Sequence, residues 1–217
     1  MQLSSDALVD GGVLDEDFAF ATQQPPDRIC FADNRSPPLA WAGLPAGTRS
    51  LVLVCVDSDA PQTPQQVNRD DLEIAAEAPR GPFFHWVMVD IDPALGHLEA
   101  GRCGAGVVEG GKAEPPGPAG VRQGLNDYTG YFSSDPRMSG RYHGYDGPCP
   151  PWNDAVPHRY HFTLYATDLE RCPVAGTEFR GQQVLTAIRA HVLGKAALTV
   201  RYSLNPRVIA ELVPGGS

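Results

Sequence analysis

Two aspartates in this sequence stand directly after an apolar run. Asp57 and Asp59 follow residues 51–56, which read LVLVCV. At positions i and i+2 of a continuing strand, the two carboxylates share one side and repel each other, so both need partners. One interpretation is an Asx-type turn, in which the aspartates bond to their own backbone. The other is that they orient and charge a histidine, and the residue pattern leaves both open.

Two histidines are candidates for that partnership. His85 interrupts the apolar segment 83–89, where a lone histidine is more often a satisfied core residue than a ligand. His158 directly precedes the alternating segment 159–167, and if the strand includes it, His158 and Tyr160 share one face. A neighbouring carboxylate favours the charged form of histidine, and an imidazolium can meet a phosphate oxygen at neutral pH.

A stiff loop precedes the second histidine. Residues 144–151 read GYDGPCPP, and the prolines leave few N–H donors. The remaining N–H groups around Gly147 and Pro148 could point together as a small anion nest, or the loop could have ordinary turn chemistry. Cys149 beside His158 is also conceivable as a nucleophile, but it lies between prolines with no evident third group, so this interpretation ranks last.

The composition excludes some classes of partner. Lys and Arg number 17 against 26 Asp and Glu, giving a net charge of −9, which argues against nucleic acid and against electrostatic docking on an anionic membrane. The five cysteines include no CxxC pair, so we expect no disulfide framework and a cytoplasmic location. Residues 1–10 lack the features of a signal peptide, and no apolar stretch reaches membrane-spanning length.

Short strands separated by Gly/Pro-rich turns predict an antiparallel β architecture. The alternating or continuous apolar segments predict strands at residues 18–20, 28–31, 51–56, 83–91, 159–167 and 198–204. One clear helix is predicted at 182–193, with Gly194 as its C′ residue, and a weaker one at 70–78. Residues 101–124 have no periodicity and are interpreted as a long surface loop.

The order of these motifs resembles the phosphatidylethanolamine-binding protein family, in its bacterial Raf-kinase-inhibitor-like branch. The resemblance covers about residues 28–204 of a single predicted domain, 1–217. The segments that carry it are Asn34–Trp41 with Leu44–Leu51, Asp57–Pro61, His85-Trp86-Val87, Gly144–Pro151 and His158-Arg159-Tyr160. It implies a mainly β fold, a β-sandwich of a large and a small antiparallel sheet with a few short helices. It also implies a pocket for phosphate or a phospholipid head group, formed by Asp57, Asp59, His85, Gly147, Pro148, His158 and Tyr160.

The sequence departs from the family pattern at three places. Ser58 stands where the family usually has proline, an insertion spans about residues 62–82, and the loop at 101–124 is expanded. The insertion lies beside the expected pocket mouth. Head-group specificity is therefore not inherited from the resemblance.

Three functions remain open at this point. The leading hypothesis is a non-enzymatic binding protein without a cofactor, with a small phosphate-bearing ligand; from relatives we also expect a kinase or protease partner and a homodimer. The alternative is a metal-dependent hydrolase that uses Asp57, Asp59, His85 and His158, since two Asp and two His could bind a divalent ion. The third is a scaffolding protein with a vestigial pocket.

Overall fold

The fold is described from a computed structural model, in which residues 1–212 are placed. Within this range the prediction of a mainly antiparallel β protein with a few short helices is confirmed. The strands are β1 (Gln2–Ser4), β2 (Ala21–Gln23), β3 (Ile29–Phe31), β4 (Leu39–Ala42), β5 (Ser50–Pro61), β6 (Arg80–Ile91), β7 (His97–Leu98), β8 (Arg122–Gln123), β9 (His158–Thr167) and β10 (Val192–Tyr202). The α-helices are α1 (Tyr128–Tyr131), α2 (Gly181–Ile188) and α3 (Pro206–Leu212). None of these helices is long and apolar enough to cross a bilayer.

The large sheet has five strands in the order β10-β9-β5-β6-β8, with antiparallel neighbours. Its central strand β5 contains the continuous apolar run at 51–56, and the side chains of residues 51–55 are buried. The register places Asp57 opposite Tyr160 of β9 on one side and opposite Phe83 of β6 on the other. Three side chains far apart in sequence are thereby set next to each other at one end of the sheet.

The inner face of this sheet packs against the small sheet, whose three strands have the order β1-β4-β7. Alternate residues of β5 and β9, such as Leu53 and Phe162, are fully buried in the main core with Trp41 of β4. The segment 144–147 also lies in this core, since Tyr145 is fully buried there. Burial of this apolar surface is the main source of folding free energy and holds the loop rigidly.

The outer face of the large sheet is covered in part by α2. Val184 and Ile188 pack on Val52 and Val87 in a second, smaller core. The helix was predicted over 182–193, but it ends at Ile188. The chain then re-enters the sheet as β10, so Gly194 lies at a strand irregularity and is not a helix C′ residue.

Two weaker predictions are wrong. Residues 70–78 form no helix; Ile74 is buried and makes an isolated bridge to Asp154, which fixes the chain in an extended form. Residues 16–18 form a 3₁₀ turn capped by Asp15, and the strand starts only at Ala21. In both places a tertiary contact or a cap outweighs a weak local propensity.

Candidate ligand-binding site

A cavity of about 80 Å³ opens at the end of the large sheet where β5, β6 and β9 meet. Its volume is well below that of pockets for drug-sized ligands, so it fits a small chemical group. The rim is formed by the insertion and by α1, and the floor by the strand ends. The lining residues are Asp57, Ala60, Pro61, Val67, Phe83, His85, Tyr128, Tyr131, Cys149, Pro150, Pro151, His158 and Tyr160.

The structure brings together four of the seven residues that were predicted to bind the ligand. Asp57, His85, His158 and Tyr160 line the cavity. Gly147 and Pro148 lie behind its wall, and Asp59 points elsewhere, as described below. Segments that lie far apart in the sequence thus converge on two imidazoles in one cavity. The role of each residue in binding stays a prediction.

His158 is held between two carboxylates. Its Nδ1 lies 2.7 Å from Oδ2 of Asp57, and its Nε2 lies 3.1 Å from Oδ2 of Asp154. Because ionised carboxylates only accept hydrogen bonds, both ring nitrogens donate and the ring is an imidazolium. Burial by itself lowers the pKa of His158, but the two aspartates outweigh it and raise the pKa to about 9.

This arrangement changes the expected role of His158. Both of its N–H groups are used by Asp57 and Asp154, so neither is free to donate to a ligand. The positive charge is present in the cavity wall, but it is compensated by the aspartates. His158 therefore offers the cavity only its charge and its ring face, and hydrogen-bond donors into the cavity must come from other groups.

His85 has a different environment. Its Nδ1 lies 2.8 Å from the carbonyl oxygen of Asp146 and 3.1 Å from that of Gly147. Carbonyl oxygens only accept, so Nδ1 carries the proton, and within residues 1–212 Nε2 has no hydrogen-bond partner. Burial lowers the pKa of His85, against weaker opposing effects of nearby carboxylates such as Asp57. The two histidines thus face one cavity, and at neutral pH His85 is neutral while His158 carries a positive charge.

The Tyr160 hydroxyl is buried without a hydrogen-bond partner among the described residues. Its ring lies between the imidazoles, with centroid distances of 5.1 Å to His85 and 6.5 Å to His158. An unpaired buried hydroxyl costs about 1–3 kcal/mol, so its presence needs an explanation. Since this residue lines the cavity, a bound group is the simplest partner for the hydroxyl.

Asp59 does not orient a histidine, contrary to expectation. Its carboxylate accepts from Nη2 and Nε of Arg159 at 2.7 and 2.9 Å and from the Ser58 hydroxyl at 3.0 Å. Burial opposes ionisation, but the hydrogen bonds from Arg159 outweigh it and lower the pKa of Asp59 to about 2. This contact could not be predicted from local residue spacing, because it depends on how β5 and β9 pair and thereby place Arg159 beside Asp59.

The Gly147-Pro148 backbone supports the wall and does not form a nest aimed at the cavity. The Gly147 N–H donates to Oδ1 of Asn34 at 2.7 Å, and its carbonyl accepts from the Tyr128 hydroxyl at 2.8 Å. A Cβ at this position would lie 2.1 Å from the carbonyl oxygen of Phe18, which explains the glycine. The Pro148 carbonyl accepts from the Phe20 N–H at 2.9 Å.

A buried ion pair between Lys112 and Asp146 also holds the loop 144–151 in place. The Asp146 carboxylate accepts from Nζ of Lys112 at 2.8 Å and from the side-chain amides of Asn34 and Asn126 at 2.7 Å each. Lys112 also donates to the Tyr145 carbonyl oxygen. Lys112 belongs to the expanded loop 101–124, so this loop is tied into the wall that holds His85.

Three aromatic residues of the wall were not predicted from the sequence. Phe83 and Tyr128 pack against His85 with centroid distances of 4.9 and 5.4 Å, and Tyr131 lines the mouth while half exposed. Tyr128 and Tyr131 lie in a short helix within an irregular segment, so no periodic pattern marked them. The available signal was the clustering of aromatic residues at 128–132 in an otherwise polar stretch.

The two weaker catalytic hypotheses find little support in the contacts. Cys149 lines the cavity, but burial raises the pKa of its thiol to about 12, which disfavours the reactive thiolate. For metal binding, the described part of the chain contains no cluster of three or more His, Cys, Asp or Glu side chains arranged to hold an ion. Asp59, one of the four predicted ligands, faces Arg159 instead.

Comparison with known proteins agrees with the resemblance in the motifs. A family model described as phosphatidylethanolamine-binding protein matches residues 4–203. A UPF0098 protein of Methanothermobacter thermautotrophicus is 36% identical over 175 residues, covering 80% of this chain and 85% of the relative. The UPF0098 protein YbhB of Escherichia coli is 33% identical over 171 residues, covering 79% and 83%. The crystal structure of YbcL from E. coli, described as a new member of the mammalian PEBP family, superposes with a TM-score of 0.66 at 26% identity, covering 93% of this chain and 97% of YbcL.

Proposed function

The chain belongs to the phosphatidylethanolamine-binding protein family, and we propose that it is a non-enzymatic binding protein for one small anionic oxygen group. The ligand would be phosphate, or the phosphate of a phospholipid head group. The observation that carries this proposal is the buried Tyr160 hydroxyl, which has no partner among residues 1–212 and lines the cavity. A hydroxyl in that position can donate to an anionic oxygen, and such charge-assisted hydrogen bonds are strong.

The charges around the cavity support an anion held mainly by hydrogen bonds. The imidazolium of His158 contributes positive charge, but Asp57 and Asp154 compensate it. A multiply charged ligand gains little electrostatic attraction from such a wall, whereas a single anionic oxygen near Tyr160 meets a buried hydroxyl donor that has no other partner among residues 1–212. The cavity of about 80 Å³ has room for a head group and not for a whole phospholipid.

Titrations with inorganic phosphate and with phosphoethanolamine, monitored by calorimetry and by NMR, test the proposal. We expect shifts of the His85 and Tyr160 resonances, and for Tyr160→Phe a weakening of binding by about 1.5–3 kcal/mol, the value of a hydrogen bond to a charged group. The matched control is Tyr165→Phe, on the same strand but packed on the outer face of the sheet. Equal affinity of the two variants, or no binding of either compound to the wild-type protein, contradicts the proposal.

The metal-dependent hydrolase remains the second hypothesis, and a metal analysis of protein purified without chelator distinguishes it. A kinase or protease partner and a homodimer are further proposals that rest on the family alone.

A further inference from the structure

We propose that the cavity takes up one proton together with its anion, and that this proton lies between the ligand and Nε2 of His85. This inference rests on the binding function proposed above and adds to it a rule for which phosphate compounds bind at which pH.

The His85 ring is held in one orientation by the loop behind it. Two carbonyl oxygens, of Asp146 and Gly147, accept from Nδ1 at 2.8 and 3.1 Å and so fix the proton of the neutral ring on that nitrogen. Nε2 then presents a lone pair on the side of the ring away from the loop. His85 is only 3% exposed and lines the cavity, so Nε2 can gain a partner only from what enters there.

In the described part of the chain, every carboxylate near this ring already has a hydrogen-bond or ion-pair partner. On β5, the Asp57 carboxylate accepts hydrogen bonds from His158 and from the Asp59 N–H. In the loop, the Asp146 carboxylate is paired with Lys112 and accepts hydrogen bonds from two asparagine side chains. From the start of α1, Asp127 accepts from the Phe84 N–H and lies 3.7 Å from Arg180. The other titratable neighbours are the charged His158 and the neutral Tyr128, Tyr160 and Cys149, whose pKa values are raised by burial.

The free protein therefore holds His85 neutral and His158 charged. An anionic oxygen that approached the lone pair of Nε2 would be repelled, and no N–H of His158 is left to compensate. A proton between the oxygen and Nε2 removes the repulsion and creates a charge-assisted hydrogen bond. The balance is one anion and one proton bound per protein molecule, in which the His85 ring is neutral before binding, and the proton comes either from solution or from the ligand.

The source of the proton separates two ligand classes. A phosphate monoester has a second pKa near 6, so close to neutral pH a part of it carries its own proton into the cavity. A phosphate diester, the form found in membrane phospholipids, has no such proton. Its binding must take one from solution, and its affinity falls about tenfold per pH unit above the pKa of His85.

Calorimetry with glycerophosphoethanolamine as the diester and phosphoethanolamine as the monoester tests this inference. At about pH 7.5, titrations in two buffers of different ionisation heat give the number of protons taken up. We expect close to one proton per diester bound, and a dissociation constant that rises about tenfold per pH unit between about pH 7 and about pH 8. Since the pKa of His158 is about 9, His158 stays protonated through most of this range.

Nitrogen-15 NMR of the imidazoles gives a readout that does not depend on affinity. In the free protein at about pH 7.5 we expect a proton on Nδ1 of His85 alone, and in the diester complex protons on both nitrogens. His85→Asn retains an amide that can donate to the Asp146 carbonyl but lacks Nε2, so its residual diester binding should be weaker and independent of pH. His161→Asn is the matched control, because His161 bonds to Ser58 and Thr199 on the outer face.

The outcomes separate the two proposals. Diester binding without proton uptake, or an unchanged His85 spectrum in the complex, overturns the inference and leaves the binding function intact. No binding of either compound overturns the binding function itself. If His85→Asn fails to fold, the proton count and the nitrogen spectra of the wild-type protein still decide.

Discussion

Asp154 and His158 are joined by a contact of 3.1 Å between Oδ2 and Nε2, across the turn that leads into β9. The same carboxylate accepts two hydrogen bonds, each of 2.9 Å, from Nη1 and Nη2 of Arg80 at the start of β6. Asp154 therefore connects the charged histidine of the cavity to the end of the insertion. With Asp57 included, two buried aspartates and two cations compensate one another, which is the condition under which buried charges are tolerated.

The charge on His158 predicts a specific dependence of stability on pH. The folded pKa of His158, about 9, lies above its unfolded value, so its contribution to the free energy of unfolding is complete below about pH 6.5 and is lost as the pH rises through 9. We expect the wild-type protein to lose about 1.4 kcal/mol per pH unit between about pH 7 and about pH 8.5 from this group. Urea unfolding at several pH values measures this slope.

The comparison that isolates His158 uses two variants. His158→Gln should lack the slope that the wild type shows, and His161→Asn, on the same strand but on the outer face, should keep it. A slope that persists in His158→Gln would mean that another group titrates in this range, and the assignment of the imidazolium would be wrong.

The residues that the sequence could identify are those whose position follows from strand alternation or from a motif. His158 and Tyr160 were expected on one face because β9 alternates regularly, and β5 brings Asp57 beside them through a register that a buried antiparallel pair favours. The predicted helix 182–193 was right at its start, where the apolar stripe is clear. It was wrong at its end because residues after Ile188 gain more by pairing with β9.

Other parts of the site depend on contacts that no local pattern encodes. Asp154 stands in an irregular segment, and its role appears only when the insertion places Arg80 opposite it. Lys112 is likewise unremarkable within a Gly/Pro-rich loop, yet it is buried against Asp146. Asp59 was expected in the site from strand alternation, but Arg159 of the paired strand binds its carboxylate instead. Pairing between polar groups far apart in the sequence thus determines which of these side chains belong to the site, and sequence periodicity does not encode that pairing.

The buried pair of Lys112 and Asp146 predicts a large effect of one substitution in the expanded loop. Lys112→Met leaves the Asp146 carboxylate buried with two amide donors and no cation, and breaking such a pair typically costs about 3–5 kcal/mol. We expect this loss in the free energy of unfolding by urea titration. Lys195→Met, at an exposed position of β10, is the control and should change stability by less than about 0.5 kcal/mol. Equal stability of both variants would show that the loop is not anchored through this pair.

The last prediction concerns the insertion as part of the pocket rim. Its attachment depends on Asn153, whose Oδ1 accepts from the Asn68 N–H at 2.9 Å and whose Nδ2 donates to the carbonyl oxygens of Gln66 and Leu72 at 2.8 and 3.1 Å. Asn153→Ala removes all three bonds while the strands of the large sheet are untouched, so hydrogen exchange should accelerate within residues 62–82 and remain slow in β5 and β9.

Gln65→Ala, at an exposed position of the same insertion, should leave exchange unchanged. Because Val67 of the insertion lines the cavity, the loosened rim of Asn153→Ala should also release a bound anion faster than the control does. Wild-type exchange rates across 62–82 in Asn153→Ala would mean that the other contacts of the insertion, such as the buried Ile74 and the Arg80–Asp154 pair, are sufficient to hold it in place.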